Sequence, residues 1–275
     1  MVEVLVLALA AAVLDGRLAT GRFDLPFREA ARALVQQRRR TLLPDALLVR
    51  IGVISLPVAA VLAAAVLPFG GEPLLDSPVG IVWFNAMEVV TWGSLWLTGW
   101  GANSFYPLVG GYRFVAQGLA YELPHMFALI TVGLGAASLR MGDVVAAQDG
   151  LWFAAWMPLA FAIYLISVLA MAFWGPMGTP LGRDLAGGVT AELSGPDRLV
   201  FLAGRYLLLA VASAAAVPMF LGGGSWLKAV PVLAVLVAAR HWLPAVRMDR
   251  FMTFAWVVLI PLTLLQLLVV GIVVL

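Results

Sequence analysis

Four ionisable side chains stand inside long apolar stretches of the sequence, where charge is rare. Glu88 and Glu122 are acids, and Arg113 and Arg205 are bases. Moving a charged side chain to the centre of a lipid bilayer costs roughly 2.5 to 3.5 kcal/mol on insertion scales, so such residues normally face a polar cavity or a partner. Their types therefore predict proton transfer or internal ion pairing.

Glu122 is followed closely by Pro124 and His125 in the segment AYELPH. Proline lacks a backbone N–H, so Pro124 leaves the carbonyl of Ala120 without its usual helical partner and favours a hydrated break in the helix. Glu122 and His125 are three residues apart and share one helix face, which suits a proton relay. A structural salt bridge is the alternative. For Arg113, the alternatives are binding a lipid phosphate and pairing with a buried acid.

Glu88 and Arg205 both lack an oppositely charged residue three or four positions away. A partner at that spacing would share a helix face with them, so each must find its partner on another helix. We therefore hypothesise an interhelical ion pair between Glu88 and Arg205.

The composition of the chain indicates which class of protein it belongs to. Hydrophobic residues make up 63% of the 275 residues and charged residues only 12%, and the mean hydropathy is +1.00. Long apolar runs dominate, and a helical bundle satisfies its backbone hydrogen bonds where water is absent. We predict an all-α integral membrane protein with a single transmembrane domain over residues 1–275. Nucleotide-binding motifs are missing, and we expect no nucleic-acid partner.

The residues that most often hold cofactors are scarce. The sequence contains no cysteine, so disulfides, thiolate metal sites and iron–sulfur ligation are excluded within this chain. His125 and His241 are too few for a haem-binding bundle or a typical zinc site. We expect no covalently bound cofactor and no metal site, and we expect any redox centre to lie in a partner subunit.

A spanning helix needs about 20 mainly apolar residues, and this length predicts eight spans. The predicted spans are residues 1–21, 47–68, 79–100, 114–139, 151–173, 198–220, 227–243 and 251–274. Arginines concentrate in the connections after the first, third, fifth and seventh spans, and the positive-inside rule places these connections in the cytoplasm. Both termini are therefore predicted to be periplasmic.

The first cytoplasmic connection, residues 23–46, contains the segment LPFREAARALVQQRRR. Phe27, Ala31, Leu34 and Val35 form an apolar stripe, and arginines occupy much of the remaining surface. This pattern predicts a helix lying in the membrane surface, with its charged side towards lipid headgroups or a docked protein. A simple arginine cluster that sets the topology is the alternative.

The segment GWGANSFYPLVGGYRFVAQGLAYELP resembles GWxSNSKYALLGxxRxxAQxxSYE, the most characteristic segment of the membrane subunit 1 family of respiratory complex I (NADH-quinone oxidoreductase). Further similar segments follow the family's order: DLAGGVTAELSG, PMFLGGG and RHWLPAVRMDRFMTFAWVVLIPL. The resemblance extends from about Pro26 to Gln266. It implies an eight-helix core with periplasmic termini in a bacterial inner membrane.

The resemblance also implies partners and roles. The family docks beneath the peripheral arm, helps to form a quinone chamber and starts an acidic proton path. Partners would be iron–sulfur and quinone-module subunits, antiporter-like and small membrane subunits, and lipids, with iron–sulfur clusters only in those partner subunits. The resemblance and the charges noted above together predict three sets of residues. The proton path would contain Glu122, Glu88, Asp184, Glu192 and His125, with Arg113 and Arg205 as charge partners. The quinone chamber would contain Arg17, Gln117 and Asp184.

Three segments depart from the family's pattern. The quinone-access segment RIGPNRVGPFGLLQP is almost wholly absent between Arg22 and Pro26, and the run AETNRxPFDLPEAE has become AMAFWGPMGTPLGR. The usual LAEY reads LAGRY, which puts Arg205 where a glutamate is expected, and Glu88 is an additional acid. Several acids of the family's coupling path are therefore lost, and one is inverted in charge.

The sequence thus predicts a membrane subunit of a complex I-like oxidoreductase that couples quinone chemistry to proton translocation. The first alternative is a membrane anchor of a related hydrogenase, formate dehydrogenase or other dehydrogenase complex without a standard quinone site. The same subunit family serves such complexes, and the missing quinone-access segment favours them. The second alternative is a stand-alone transporter with Glu88, Glu122 and Arg205 lining its path.

Overall fold

The structure, a computed structural model, describes residues 1–274, so Leu275, the last residue of the predicted domain, lies outside the described part. Within the described part the chain is all-helical and has no strand, which confirms the predicted all-α class. The α-helices are α1 (Val2–Thr20), α2 (Leu25–Val35), α3 (Ala46–Ala64), α4 (Gly80–Gly101), α5 (Phe105–Ala136), α6 (Met141–Ala146), α7 (Phe153–Trp156), α8 (Pro158–Met171), α9 (Gly195–Phe220), α10 (Ala229–Trp242), α11 (Met248–Phe254) and α12 (Ile260–Val274).

Four helical stretches are long and apolar enough to cross a membrane: Ala46–Ala64, Phe105–Ala136, Gly195–Phe220 and Met248–Val274. The last of these joins α11 to α12 through a π-helical turn at Ala255–Leu259. The other four predicted spans coincide with helices that are shorter or less apolar. Helix α1 carries three charged side chains, α4 is rich in tryptophan, glycine and polar residues, and α8 and α10 are only 14 residues long.

Helix α5 differs from its prediction in two ways. It begins at Phe105, nine residues before the predicted start at residue 114, so Glu122 lies near its middle rather than two turns from its start. Pro107 falls in the first turn, where proline costs no hydrogen bond. The helix also continues through Pro124, so the predicted break is wrong.

The core of the bundle forms where α9 crosses α3 and where α5 packs against α4, α8 and α12. Small residues allow the close approach of α9 to α3. A Cβ atom built on Gly204 would lie 2.8 Å from Pro57 Cδ and 2.9 Å from Pro57 N. The outward faces of α1, α3 and α12 expose large aliphatic side chains, as expected for surfaces that meet lipid rather than water.

Helices α8 and α9 are joined by a folded connection of four short 3₁₀ turns between Gly175 and Thr190. Gly110 lets this connection lie directly on the first turns of α5. A Cβ at Gly110 would come within 2.5 Å of Val189 N and 2.7 Å of Pro180 O. The connection therefore sits beside the end of α5 that carries Arg113.

A methyl group at Gly204 should weaken the bundle, because Pro57 is backbone-constrained and cannot move aside. We expect Gly204→Ala to lower the midpoint of thermal unfolding in detergent by on the order of 5 °C. Gly93→Ala is the matched control, since no atom lies within 4 Å of its added Cβ, and it should keep or raise the midpoint. Equal midpoints for the two variants would contradict the packing described here.

Candidate functional site

Helices α4 and α5 bring together four polar side chains, Asn85, Glu88, Glu122 and His125, which we call the acid–histidine cluster. His125 is fully buried, Glu88 is 2% exposed, and His125 Nε2 lies 3.6 Å from Glu88 Oε2. Asn85 Nδ2 donates a hydrogen bond of 3.2 Å to Glu122 Oε1. The histidine thus approaches Glu88 on the neighbouring helix, and Asn85 ties Glu122 to α4.

Several buried polar atoms of the acid–histidine cluster have no hydrogen-bond partner among residues 1–274. They are both carboxylate oxygens of Glu88, Glu122 Oε2, both ring nitrogens of His125, and Asn85 Oδ1. A buried polar atom without a hydrogen bond lowers the stability of the fold, and in proteins such atoms are usually satisfied by ordered water. A cavity of about 10 Å³ adjoins Glu88, close to the space that one water molecule requires. A water molecule in this cavity would hydrogen-bond to the Glu88 carboxylate.

Aromatic side chains enclose the acid–histidine cluster. The Tyr164 ring of α8 stacks on His125 at a centroid distance of 5.4 Å, and its hydroxyl donates to a carbonyl of α9. Trp92 Nε1 donates to the Tyr121 hydroxyl at 3.1 Å. These aromatic residues and Asn85 were not predicted from the sequence. Asn85 stands three residues before Glu88 on the same helix face, so its spacing was a usable signal.

Arg205 is not paired with Glu88, so the hypothesised ion pair is wrong. Arg205 is 7% exposed, and its guanidinium donates to the carbonyls of Ala172 and Phe173 at 3.3 and 2.5 Å. These carbonyls follow the last turn of α8, where the helix dipole presents partial negative charge. The guanidinium also lies 4.4 Å from the centre of the Trp174 ring, within cation–π range. Arg205 therefore caps a helix.

Asp15 of α1 is the centre of a second polar cluster, which the sequence analysis did not assemble. Its carboxylate accepts hydrogen bonds from Tyr206 Oη at 2.8 Å and Arg240 Nη1 at 2.7 Å, and it lies 2.9 Å from His241 Nε2. The contacts join α1, α9 and α10. Arg17, two residues away, instead donates to the Gly21 carbonyl.

Arg113 links α5 to the connection before α9. Its Nη2 lies 2.7 Å from Asp184 Oδ2, and its Nη1 donates to the Thr179 carbonyl at 3.3 Å. The hydrogen bond from Arg113 holds the pKa of the Asp184 carboxyl below its ordinary value. Of the two readings of Arg113, the acid partner is the one present, although Asp184 is largely exposed rather than buried.

The nominated quinone-chamber residues do not form one open site. Gln117 is buried, donates to the Ala170 carbonyl at 2.7 Å and accepts from the Thr179 hydroxyl at 3.2 Å, so both ends of its amide are occupied. Arg17 shares no contact with it. Glu192 lies elsewhere, accepting from the Ser104 hydroxyl at 3.0 Å. No group of three acids or histidines placed to hold a metal ion occurs among the described residues.

Comparisons with known proteins agree with the resemblance. The model of a family described as NADH dehydrogenase matches residues 19–271. One of the NADH-quinone oxidoreductase H subunits of Geobacter metallireducens is 36% identical over 235 residues, which are 78% of this chain and 71% of the relative. The corresponding H subunit of Geobacillus kaustophilus is 34% identical over 232 residues, covering 78% and 70%. An H subunit of Cereibacter sphaeroides is 38% identical over 206 residues, covering 70% and 65%. This chain belongs to the NADH dehydrogenase membrane subunit 1 family.

Membership of the membrane subunit 1 family confirms the predicted resemblance and the membrane class. It also shows what is particular to this member. At Arg205, where the resemblance leads one to expect an acid, the bundle supplies carbonyls and an aromatic face, so the inverted charge is accommodated without a carboxylate in contact. Glu88, the additional acid, lies against His125 rather than against a base that is always charged.

Arg113→Gln should release the connection that Asp184 holds against α5. An acid with a lowered pKa stabilises the folded contact above its ordinary pKa of 3.8, and this contribution disappears as the pH falls through the lowered value. At pH 7 we expect amide hydrogen exchange over residues 183–187 to be up to about fivefold faster in the variant, since an exposed pair contributes at most about 1 kcal/mol. At a pH below the lowered pKa of Asp184, the wild type should exchange as fast as the variant does, once the pH dependence of intrinsic amide exchange is corrected for.

Arg183→Gln is the matched control, because Arg183 is exposed and forms no ion pair within the described chain. Exchange that is unchanged in Arg113→Gln, or equally faster in Arg183→Gln, would contradict a specific contact.

Proposed function

We propose that this chain is a membrane subunit of a complex I-like oxidoreductase, in which it couples quinone chemistry in partner subunits to proton translocation. The observation that carries the proposal is the acid–histidine cluster, a group of buried acids and a histidine with unsatisfied polar atoms at the centre of an apolar bundle. Family membership adds the class of complex, since its relatives are named as subunits of NADH-quinone oxidoreductase.

The proposed arrangement has eight spans in one transmembrane domain over residues 1–275, with both termini in the periplasm of a bacterial inner membrane. Helical segments at the eight predicted positions support it. Residues 23–46 then form a cytoplasmic connection, in agreement with the positive-inside rule, because this connection is rich in arginine. Helix α2, which has no buried residue, would lie along the membrane surface.

The proposed proton path runs through the acid–histidine cluster. Glu122 is half-buried, and its Oε2 has no hydrogen-bond partner within residues 1–274. Water bridging Glu122 to Glu88, with His125 alternately donating and accepting, would move a proton between α5 and α4. The small cavity beyond Glu88, bounded by α3 and α9, gives the next position. Asp184, midway along the α8–α9 connection, and Glu192, near its end, would respond to quinone chemistry in the partners.

A quinone is proposed as substrate of the whole complex. The residues of this chain fit a quinone site only in part, because Gln117 is buried and both its amide nitrogen and its amide oxygen are hydrogen-bonded inside the protein. Arg17 and Asp184 remain exposed and available to a site completed by partners. The proposed partners are the iron–sulfur and quinone-module subunits of the peripheral arm and the antiporter-like and small membrane subunits.

One observation favours a second function, that of a membrane anchor for a related hydrogenase or dehydrogenase without a standard quinone site. Only residues 21–24 separate α1 from α2. The two helices meet closely, since a Cβ on Gly16 would lie 3.3 Å from both Leu25 Cβ and Pro26 Cδ. The connection of four residues is much shorter than the quinone-access segment that the resemblance implies.

Purification of the tagged chain from native membranes in mild detergent tests the proposal. We expect iron–sulfur and antiporter-like subunits to co-purify, and the reconstituted complex to translocate protons during quinone reduction. Co-purification with a hydrogenase or another dehydrogenase that leaves quinone unreduced would instead select the second function. Recovery of the chain alone as an active transporter would contradict both.

In the same complex, Glu122→Gln and Glu88→Gln should each reduce proton translocation by about tenfold or more with the subunit composition unchanged, because glutamine cannot carry the proton. Glu72→Gln, which alters an exposed acid, is the control and should translocate normally. Unchanged translocation in both cluster variants would defeat the relay.

A further inference from the structure

A groove lined by arginines lies at the end of the bundle where α3 and α9 begin. It encloses about 60 Å³, room for on the order of four water-sized groups. We call it the arginine groove, and its charged lining residues are Arg38, Arg39, Arg40, Arg50, Glu192 and Asp197. Four cations thus face two anions, which leaves the groove positive.

The two acids of the arginine groove are already engaged. Asp197 pairs with Arg38 at 3.2 Å, and Glu192 accepts a hydrogen bond from Ser104. Arg39, Arg40 and Arg50 form no ion pair with any residue between 1 and 274. Three guanidinium groups with free donors around one small cavity match the oxygens of a phosphate group, which guanidinium binds in a bidentate manner.

Hydrogen bonds hold the backbone around the arginine groove in place. The Arg39 N–H donates to Ser194 Oγ at 2.6 Å, and the Asp45 N–H donates to the Gly101 carbonyl at 2.9 Å. Asn103 Nδ2 donates to the carbonyls of Leu42 and Leu43 at 3.1 and 3.3 Å. The arginines are therefore presented from an anchored segment, so a ligand need not order it on binding.

The same anchored segment displays large apolar side chains beside the charges. Leu42 and Leu43 are 86% and 85% exposed, and Leu43 has a φ of 52°, a left-handed conformation that is costly for leucine. Leu47, on the first turn of α3, is 67% exposed. Cations over a small cavity, bordered by leucines that point away from the protein, are complementary to an anionic headgroup with acyl chains attached.

We propose that the arginine groove binds the phosphate of one anionic phospholipid, whose acyl chains lie along Leu42, Leu43 and Leu47. The lipid would fill the step between the surface helix α2 and the spanning helix α3. The proposal rests on the membrane placement of α3 and not on proton translocation, so it stands or falls independently of the relay.

Binding to the purified full-length chain, stripped of lipid in detergent, tests the proposal by native mass spectrometry. The probes are dioleoyl phosphatidylglycerol, dioleoyl phosphatidylcholine and inorganic phosphate. We expect one retained phosphatidylglycerol per chain, little retained phosphatidylcholine, and no displacement of the bound lipid by phosphate at millimolar concentration. Equal retention of both lipids would overturn the proposal, and so would displacement by phosphate alone, which would indicate a free-anion site.

Arg39→Gln/Arg40→Gln should weaken phosphatidylglycerol retention by at least about tenfold, since each arginine near an anionic membrane strengthens binding about fivefold. Arg32→Gln/Arg250→Gln is the matched control, with the same change of charge at two exposed arginines outside the groove. An equal loss in this control would indicate general attraction to charge and overturn a specific site. Unchanged retention in the groove variant would also overturn it.

Leu43→Asn separates binding from folding. Asparagine tolerates the left-handed conformation better than leucine, so the unfolding midpoint should be kept or raised, while loss of the apolar contact should weaken lipid retention severalfold. Retention equal to that of the wild type would overturn the acyl-chain contact.

Discussion

The cost of unsatisfied polar groups in an apolar bundle is the constraint on which the structure depends. Glu88, His125 and Glu122 are held where lipid-facing helices exclude bulk water, yet their polar atoms are not matched to one another within residues 1–274. A structural ion pair would close such groups into short hydrogen bonds. The 3.6 Å between His125 Nε2 and Glu88 Oε2 is longer than a normal hydrogen bond, so both groups keep polar atoms that a water molecule beside the pair would satisfy.

The other buried charges are satisfied in ways that leave this cluster undisturbed. The charge of Arg205 is stabilised locally by carbonyls at the end of α8 and by aromatic faces, and it is not paired with Glu88. Asp15 collects three partners and fastens α1, α9 and α10 at one end of the bundle. The charges that have partners are therefore separate from the acid–histidine cluster, whose polar atoms stay unsatisfied within residues 1–274.

The sequence predicted the all-α class and the positions of the helices, because run length and apolar composition are local properties. It misplaced the start of α5, since the polar and glycine-rich residues before 114 lower the apolar signal without preventing a helix. The contact partners of the buried charges were harder to predict. Carbonyl groups and ring faces do not appear as charges in a sequence, so Arg205 was matched to Glu88, and the contact of Asp15 with Arg240 spans 225 positions. Glu122 and His125 could be singled out as candidates because a short local motif marks them, but the approach of His125 to Glu88 was not predicted.

Direct observation of water inside the assembled complex tests the central claim. An experimental density map at a resolution that shows ordered water should contain water molecules within hydrogen-bond distance of the Glu88 carboxylate, the His125 ring and Glu122 Oε2, continuous from α5 to α4. A dry interior, with Glu88 closed into a direct short hydrogen bond to His125 or turned towards Arg205, would contradict the account.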